Sequence, residues 1–394
     1  MALRLAATQK ILMRIDHKIL FSGYDRKTCW VHARPAVIPG DPLQAVITMQ
    51  KLRITGDDVF YEINDVWSQD GGTTWSQPRP HADVLGRRPA AGGLEEGISD
   101  FTPAWHSATG VLLGTGHTIP YLQDNIPPNP RPRSTSYSVY NQKSQSWSAW
   151  AKLEMLDPRI AFNTGAGCTQ RVDLANGDIL LPIYYALSET VKDAGLYVQL
   201  VSSVHRCTFD GTVLRCVEKG SDLTLGQGRG FGEPSLAEIH GRYFLTLRND
   251  DRAYVAVSRD GLNYGEPKPW KFDDGSDLGS YNTQQHWVTS CDNLYLVYTR
   301  RGANNDHVLR HRAPLFIAQV DQERNCLLRE SEAILIPERG AALGNFGVAR
   351  ISDQESWVVA SEWMQTTQPD PFDCRVCEKY GSDNSIHLAR ISFG

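Results

Sequence analysis

The sequence has no long apolar run. No stretch approaches the roughly 20 residues that a membrane-spanning helix needs, so a membrane partner is not expected. It also has no run of lysine or arginine and no acidic tail, and its formal net charge is -5. A nucleic-acid partner, which would want a basic surface, is therefore not expected either. No window beyond about ten residues keeps a helical apolar period free of glycine and proline, which argues against a helical fold. Only one Cys-x-x-Cys is present, at Cys374 and Cys377, so a four-thiolate zinc site would need distant partners. The first 15 residues are interrupted by Lys10 and Arg14 and lack a clear signal-peptide core with a small-residue cleavage site. That leaves the compartment open between a cytoplasmic chain and a secreted or periplasmic one whose leader was removed.

What the sequence has in quantity is short strands and turns. Ala45–Gln50, Val111–Thr115, Asp178–Tyr185, Arg242–Arg248, Ala253–Ser258, Leu294–Thr299, Leu315–Val320 and Trp357–Ser361 are rich in Val, Ile, Leu, Tyr and Thr, with polar turns between them. The Pro-rich stretch from Ile126 to Arg133 is too short for a disordered linker and reads as a long loop within one domain. Cys207 and Cys216 flank a short turn and can face each other across a hairpin.

One turn stands out. Ser68-Gln69-Asp70-Gly71-Gly72-Thr73-Thr74-Trp75 offers two side chains able to bond turn amides, two glycines able to adopt positive φ, and a ring to pack beneath. Ser258-Arg259-Asp260-Gly261-Leu262-Asn263-Tyr264 repeats it with one residue deleted, and weaker echoes follow Val139, Arg206 and Phe316. The echoes lie about 50 to 70 residues apart, the length of a four-stranded blade with generous loops. The expectation is an all-β fold: one β-propeller over residues 1–394, six blades favoured and a seventh possible in the crowded first 65 residues. The N-terminal segment is expected to close the ring by joining the last blade. A β-sandwich explains the strands but not the spaced turns.

The octet resembles the Asp box, or BNR repeat, of the sialidase superfamily, in which it joins outer strands of propeller blades. In a propeller the inner strands converge on an axis, and a site is assembled at one mouth from several blades. Its residues are therefore scattered along the chain. The resemblance extends to Arg34-Pro35, which looks like the family's Arg-Ile-Pro without its Ile, and implies that Arg34 clamps a substrate carboxylate. Asp57 or Asp58 stands where the family carries its catalytic acid, before the first Asp box. The mid-chain segment from Gln170 to Pro182 is also similar to one in the family, and Glu233 and Arg248 keep the family's order ahead of the second box. Tyr281 looks like the family's nucleophile, with Glu233 as its base, because a phenol of pKa about 10 needs such a partner. The third clamp arginine falls among Arg300, Arg301, Arg310 and Arg312. Three arginines around one carboxylate give paired, charge-assisted hydrogen bonds.

Histidines exceed that pattern: His32, His106, His117, His286, His307 and His311 lie in or beside expected strands. They support a second resemblance, to propeller uronate lyases such as rhamnosyl-glucuronate lyases. There His32, His117 or His286 would remove the proton α to a uronate, and an arginine such as Arg34 would neutralise the carboxylate. Each candidate also has a structural reading: a histidine satisfied in a strand, a turn carboxylate at Glu233, a surface pair at Arg248, core packing at Tyr281. A non-catalytic glycan-binding propeller is the third reading. The expected partner is a glycan or acidic oligosaccharide. No cofactor is required by either chemistry. A structural calcium or zinc ion at the axis is compatible with the polar residues near His286, but their spacing matches no ligand motif.

Overall fold

The computed structural model describes residues 13–128, 131–187 and 199–394. The segment on which the leader reading rests lies largely outside them. Strands form six sheets. From the axis outward, blade 1 is Thr28–Ile38, Gln44–Arg53, Phe60–Ser68 and Arg79–Pro80. Blade 2 is Glu95–His106, Val111–Tyr121 and Thr135–Asn141, edged by Ser146–Trp147 and Ala151–Lys152. Blade 3 runs from Thr164–Gly165 and Val172–Asp173 through Ile179–Tyr185 and Val201–Phe209 to Leu214–Lys219. Blade 4 is Gly232–Ile239, Arg242–Arg248, Tyr254–Ser258 and Lys268–Pro269. Blade 5 is His286–Ser290, Asn293–Tyr298 and Leu315–Asp321, edged by Cys326–Leu327 and Ala333–Ile336. Blade 6 is Gly347–Arg350, Glu355–Ser361 and Ser385–Phe393, and its outermost strand is Met13–Ser22.

The fold is thus a six-bladed β-propeller, closed by the first described strand against the last, with Met13 opposite Phe393 and Ser22 opposite Ser385. No seventh blade forms among the described residues. The crowded strands of the first 65 residues divide between the outer edge of blade 6 and blade 1. Two short helices, Ala82–Leu85 and Cys374–Lys379, sit in connections, and no described helix is long and apolar enough to cross a membrane.

The apolar residues lie between blades. Trp30, Ile47, Trp357 and Leu388 pack where blades 1 and 6 meet, and Leu113, Ile179, Leu181 and Phe209 where blades 2 and 3 meet. A middle strand is covered on both faces, so Ser356 to Ser361 is buried without alternation. Removing a ring such as Trp357, 1% exposed, would cost about 3–5 kcal/mol.

The outer turns satisfy themselves. Ser68 Oγ accepts from Gly72 N at 2.8 Å, and Asp70 Oδ1 accepts from Thr73 N at 3.0 Å and Thr74 N at 2.9 Å. Gly71 and Gly72 take φ of 67° and 78°. The shortened copy behaves alike: Ser258 Oγ accepts from Gly261 N at 2.9 Å, and Asp260 Oδ1 from Asn263 N at 2.7 Å. Cys207 stands directly opposite Cys216 in blade 3, and all eight cysteines are thiols.

Candidate active site

A cavity of about 1070 Å³ is lined by residues from all six blades, including His32, Asp58, Asp100, His117, Cys168, Glu233, Arg248, Arg312 and Trp363. A recurring backbone device delivers them. In blade 1 the pairing of Thr28–Ile38 slips between Val31 and Arg34, in blade 2 that of Glu95–His106 slips between Ser99 and Thr102, and in blade 4 that of Gly232–Ile239 slips between Gly232 and Ser235. Each slip holds one extra residue, a β-bulge that re-aims a side chain. The bulged residues are His32, Asp100 and Glu233, at φ of 56°, 51° and 43°. Cys168 in blade 3 and Asn282 ahead of blade 5 take the same left-handed geometry at 59° and 44°. Such backbone costs a non-glycine residue about 1–2 kcal/mol, a strain the surrounding ring must hold.

Asp100 is the hub. Its Oδ1 accepts from Arg34 Nη2 at 3.0 Å and from Cys168 Sγ at 2.7 Å, and lies 3.3 Å from His32 Nε2, while its Oδ2 is 3.8 Å from His117 Nε2. Burial alone would raise its carboxyl, but His32, His117 and Arg34 outweigh this and hold it well below the usual range. Burial acts the other way on the imidazoles. His32 is lowered, and His117 is brought down to about 4 despite Asp100. Both are neutral near pH 7. His117 Nδ1 lies 3.2 Å from the hydroxyl of Tyr184, and His32 Nδ1 has no hydrogen-bond partner.

Glu233 binds Arg248 through Oε1, and Arg248 also donates to Asn282 Oδ1 at 2.6 Å. The other oxygen, Oε2, is buried without a partner. Burial would raise this carboxyl, yet Arg248 leads the charges that lower it. Asp58, in the loop between the second and third strands of blade 1, is raised by the protein around it and by repulsion from Asp100. Its side chain still meets solvent inside the cavity. Asp57 lines the same wall. Two carboxyls with shifts of opposite sign thus share one cavity, a pattern suited to one acid and one base.

The structure brings together His32, Asp57, Asp58, His117, Glu233, Arg248 and Arg312. Arg34 lies beneath the cavity rather than in its lining. It is fully buried, and its Nη atoms are taken up by Asp100, Cys168 and the carbonyl of Phe346 at 3.1 Å. Tyr281 does not line the cavity: its ring meets His311 at 5.7 Å and carries Arg301 at 3.9 Å, while its neighbour Asn282 reaches Arg248. Arg300 is held by Glu332 at 2.8 Å on the flank of blade 5. His286 is buried below, 2.7 Å from Ser235 Oγ and 3.0 Å from Gln284 Nε2, in a hydrogen-bonded axial network. No group of three His, Cys, Asp or Glu able to hold a metal occurs among the described residues. The other three candidate histidines are bonded away from the cavity: His106 to Thr109 and to the Gly177 carbonyl, His307 to Glu338, His311 to Asp306.

Sequence reasoning missed Asp100, Cys168, Tyr184, Arg131, Arg133 and Arg229. Asp100 had a signal, a lone carboxylate between Ile98 and Phe101 in an otherwise strand-like run. The arginines of the Pro-rich loop had none beyond their charge.

The six-bladed fold is a sialidase-like propeller. No family model matches the chain, and no curated protein matches its sequence. Among solved structures it is similar to a protein of unknown function from Dyadobacter fermentans, at 15% identity and TM-score 0.64 over 97% of this chain and 99% of that one. It is similar to a Trypanosoma rangeli sialidase at 16% identity and TM-score 0.62, over 95% of this chain but 59% of that one. A leech intramolecular trans-sialidase follows at 11% identity and TM-score 0.57, over 96% and 70% of the two chains. At such identities the likeness is one of fold.

Proposed function

We infer that this chain is an exo-acting carbohydrate-active enzyme that hydrolytically removes a terminal acidic sugar from a glycan. The observation that carries this reading is the pairing, inside one arginine-lined cavity, of a raised carboxyl at Asp58 with a lowered one at Glu233 whose Oε2 is free. Arg312, with Arg248 beside it, holds the carboxylate of the sugar. Asp58 gives its proton to the departing glycosidic oxygen. Glu233 Oε2 takes a proton from the water that attacks the anomeric carbon, a division of labour between two carboxyls that glycosidases use widely. Water, rather than a tyrosine, is the nucleophile in this reading, because Tyr281 faces away and Tyr184 is committed to His117. The Trypanosoma and leech structures, some of which hold sialic acid or its derivatives, make a sialic acid the first sugar to try.

One observation favours a second reading, β-elimination from a uronate. His117 is neutral, touches the Tyr184 hydroxyl, and stands beside Arg133, whose guanidinium lies 4.4 Å over the Tyr184 ring. A neutral imidazole can remove the proton α to a carboxylate whose charge an arginine offsets. Incubation with sialylated and uronate-terminated oligosaccharides separates the two. Free acidic sugar without new ultraviolet absorbance supports hydrolysis. An unsaturated, absorbing product replaces it with elimination. Saturable binding with no product removes both and leaves a glycan-binding protein.

A further inference from the structure

The cavity arginines fall into two kinds. Arg248 is paired with Glu233, and Arg229 with Asp250 at 2.9 Å. Among the described residues, no carboxylate stands within ion-pair distance of the other four: Arg131, Arg133, Arg310 and Arg312. Asp58 feels Arg131 and Arg310 but pairs with neither. What holds Arg133 and Arg312 is neutral. Arg133 donates to Asn163 Oδ1 at 2.6 Å and stacks on Tyr184, and Arg312 donates to the carbonyl of Asn282 at 2.7 Å and to Asn345 Oδ1 at 3.3 Å. The Nε atoms of Arg133 and Arg312 are buried without partners. Arg312 is buried, Arg131 and Arg133 are half-buried and Arg310 is exposed at the cavity edge. A charge withdrawn from water without a counter-ion is costly, and a ligand of opposite charge offsets that cost.

Their positions follow a rule of the fold. Arg131-Pro132-Arg133 ends the loop between the second and third strands of blade 2, just before Thr135–Asn141. Arg310-His311-Arg312 ends the equivalent loop of blade 5, just before Leu315–Asp321. In a ring of six, blades 2 and 5 face each other. The same Arg-x-Arg spacing thus stands at equivalent sites on opposite walls of one cavity. The two walls differ in setting: Arg310 and Arg312 lie near Arg248 and Glu233, while Arg133 lies over Tyr184, which touches His117, with Arg131 next to it in the same loop. One carboxylate small enough to be clamped by the first wall leaves the second unanswered.

We propose that the cavity takes a ligand with two anionic groups, one seated on Arg310 and Arg312 and the other on Arg131 and Arg133. Under the reading above, which this proposal deepens, the substrate is a doubly acidic glycan: two neighbouring acidic sugars, or one that also carries a sulfate or phosphate ester. The cavity volume, at the upper end of ordinary ligand sites, has room for a disaccharide. Burial and mutual repulsion lower the pKa of Arg133, Arg310 and Arg312, whereas the paired Arg34 and Arg248 are raised, so only the first group lacks a counter-charge.

The test uses probes that are not sugars. Straight-chain dicarboxylates of increasing length, and the monocarboxylates matching them, are titrated calorimetrically at low salt. The expected result is an affinity maximum at one length, where the dicarboxylate exceeds its monocarboxylate by at least about tenfold, since a charge-assisted contact is worth about that much. In Arg131→Gln, in Arg133→Gln and in Arg310→Gln the ratio should fall to near one. The Arg131 side chain makes no hydrogen bond or ion pair among the described residues, so its variant reads out even if Arg133→Gln misfolds. Equal affinities at all lengths, or a ratio that survives Arg131→Gln, overturns the proposal. A uronate disaccharide with and without an O-sulfate repeats the comparison on sugars. If dicarboxylates show the optimum while no glycan is cleaved, the two-anion site stands and the enzymatic reading falls. If singly acidic glycans are cleaved as well as doubly acidic ones and no optimum appears, the reverse holds.

Discussion

The turn at Ser68 to Trp75 and the axial site solve one problem, the satisfaction of polar groups, in opposite ways. In the turn the bonds made by the Ser68 and Asp70 side chains close within four residues, Ser68 to Gly72 and Asp70 to Thr73 and Thr74, while the outward carbonyls of Gly71 and Gly72 are met from outside, by Lys18 and Arg390. At the axis the partners are far apart in sequence. Arg34 reaches Asp100, Cys168 and Phe346, and Gln170 reaches Trp287 from another blade. A turn of the first kind depends on its own sequence. A site of the second kind exists only when the whole ring is closed, and it can then afford groups that no local segment would tolerate.

Substitutions at the two places should therefore differ in kind. The largest effect is expected from Arg34→Met, which leaves Asp100 buried without its cation and should cost about 3–5 kcal/mol in denaturant unfolding. Near-native stability would mean that Asp100 is held by the histidines alone. Glu233→Gln removes the base and should lower kcat by about 10²–10⁴-fold, with the fold intact by circular dichroism. Arg312→Gln should do the opposite of Arg34→Met. It deletes a buried charge that has no counter-ion, so stability should hold or rise while KM for an acidic glycan increases. Loss of stability there would place Arg312 among the structural arginines.

A pH titration sharpens the contrast further. His117 has a folded pKa of about 4 against an unfolded value near 6.5, so between these values the unfolded chain binds more protons. Stability should fall as pH drops from about 6.5 to about 4, and His117→Gln should flatten that slope. Asp100, whose pKa is depressed, adds a second loss at lower pH still, because its contribution is present above the usual carboxylate range and disappears below it. The smallest effect belongs to the turn: Ser68→Ala should cost about 1 kcal/mol and leave glycan kinetics unchanged. Tyr281→Phe should likewise leave kcat unchanged. A large loss there would restore it to the chemistry.

This division also explains what could be read from the sequence. The turn was legible because its determinants are contiguous, and the shortened copy at Ser258 carried the same signal with one residue fewer. Strands such as Arg242–Arg248 and, to within a residue, Leu315–Asp321 were legible from composition, and the spacing of the turns favoured six blades while leaving room for a seventh. The site was legible only in part. Glu233 and Arg248 stood out as charges in or beside apolar strands, whereas Asp58 was legible only as one of a pair with Asp57 and Arg312 only as one of four arginines. Tyr281 stood out through its resemblance to the family's nucleophile, but it does not line the cavity, and it is Asn282, one residue later, that accepts from Arg248. Asp100 left only the faint signal of a lone carboxylate in a strand, and Cys168 and the arginines at 131 and 133 left none beyond their residue type, because a bulge or a loop end aims a side chain through backbone geometry that the letters do not show.

The strand Met13–Ser22 gives the ring a timetable. It is synthesised ahead of every blade, yet its partner Ser385–Phe393 comes last, and His17 meets His387 across a sequence distance of 370 residues. Until that partner is made it carries an unpaired edge, the kind of edge that invites pairing with another chain. Contacts of such long range are slow to form. The cavity, which needs all six blades, comes into being only when this latch engages, so the capacity to bind arrives in a single late step rather than growing blade by blade.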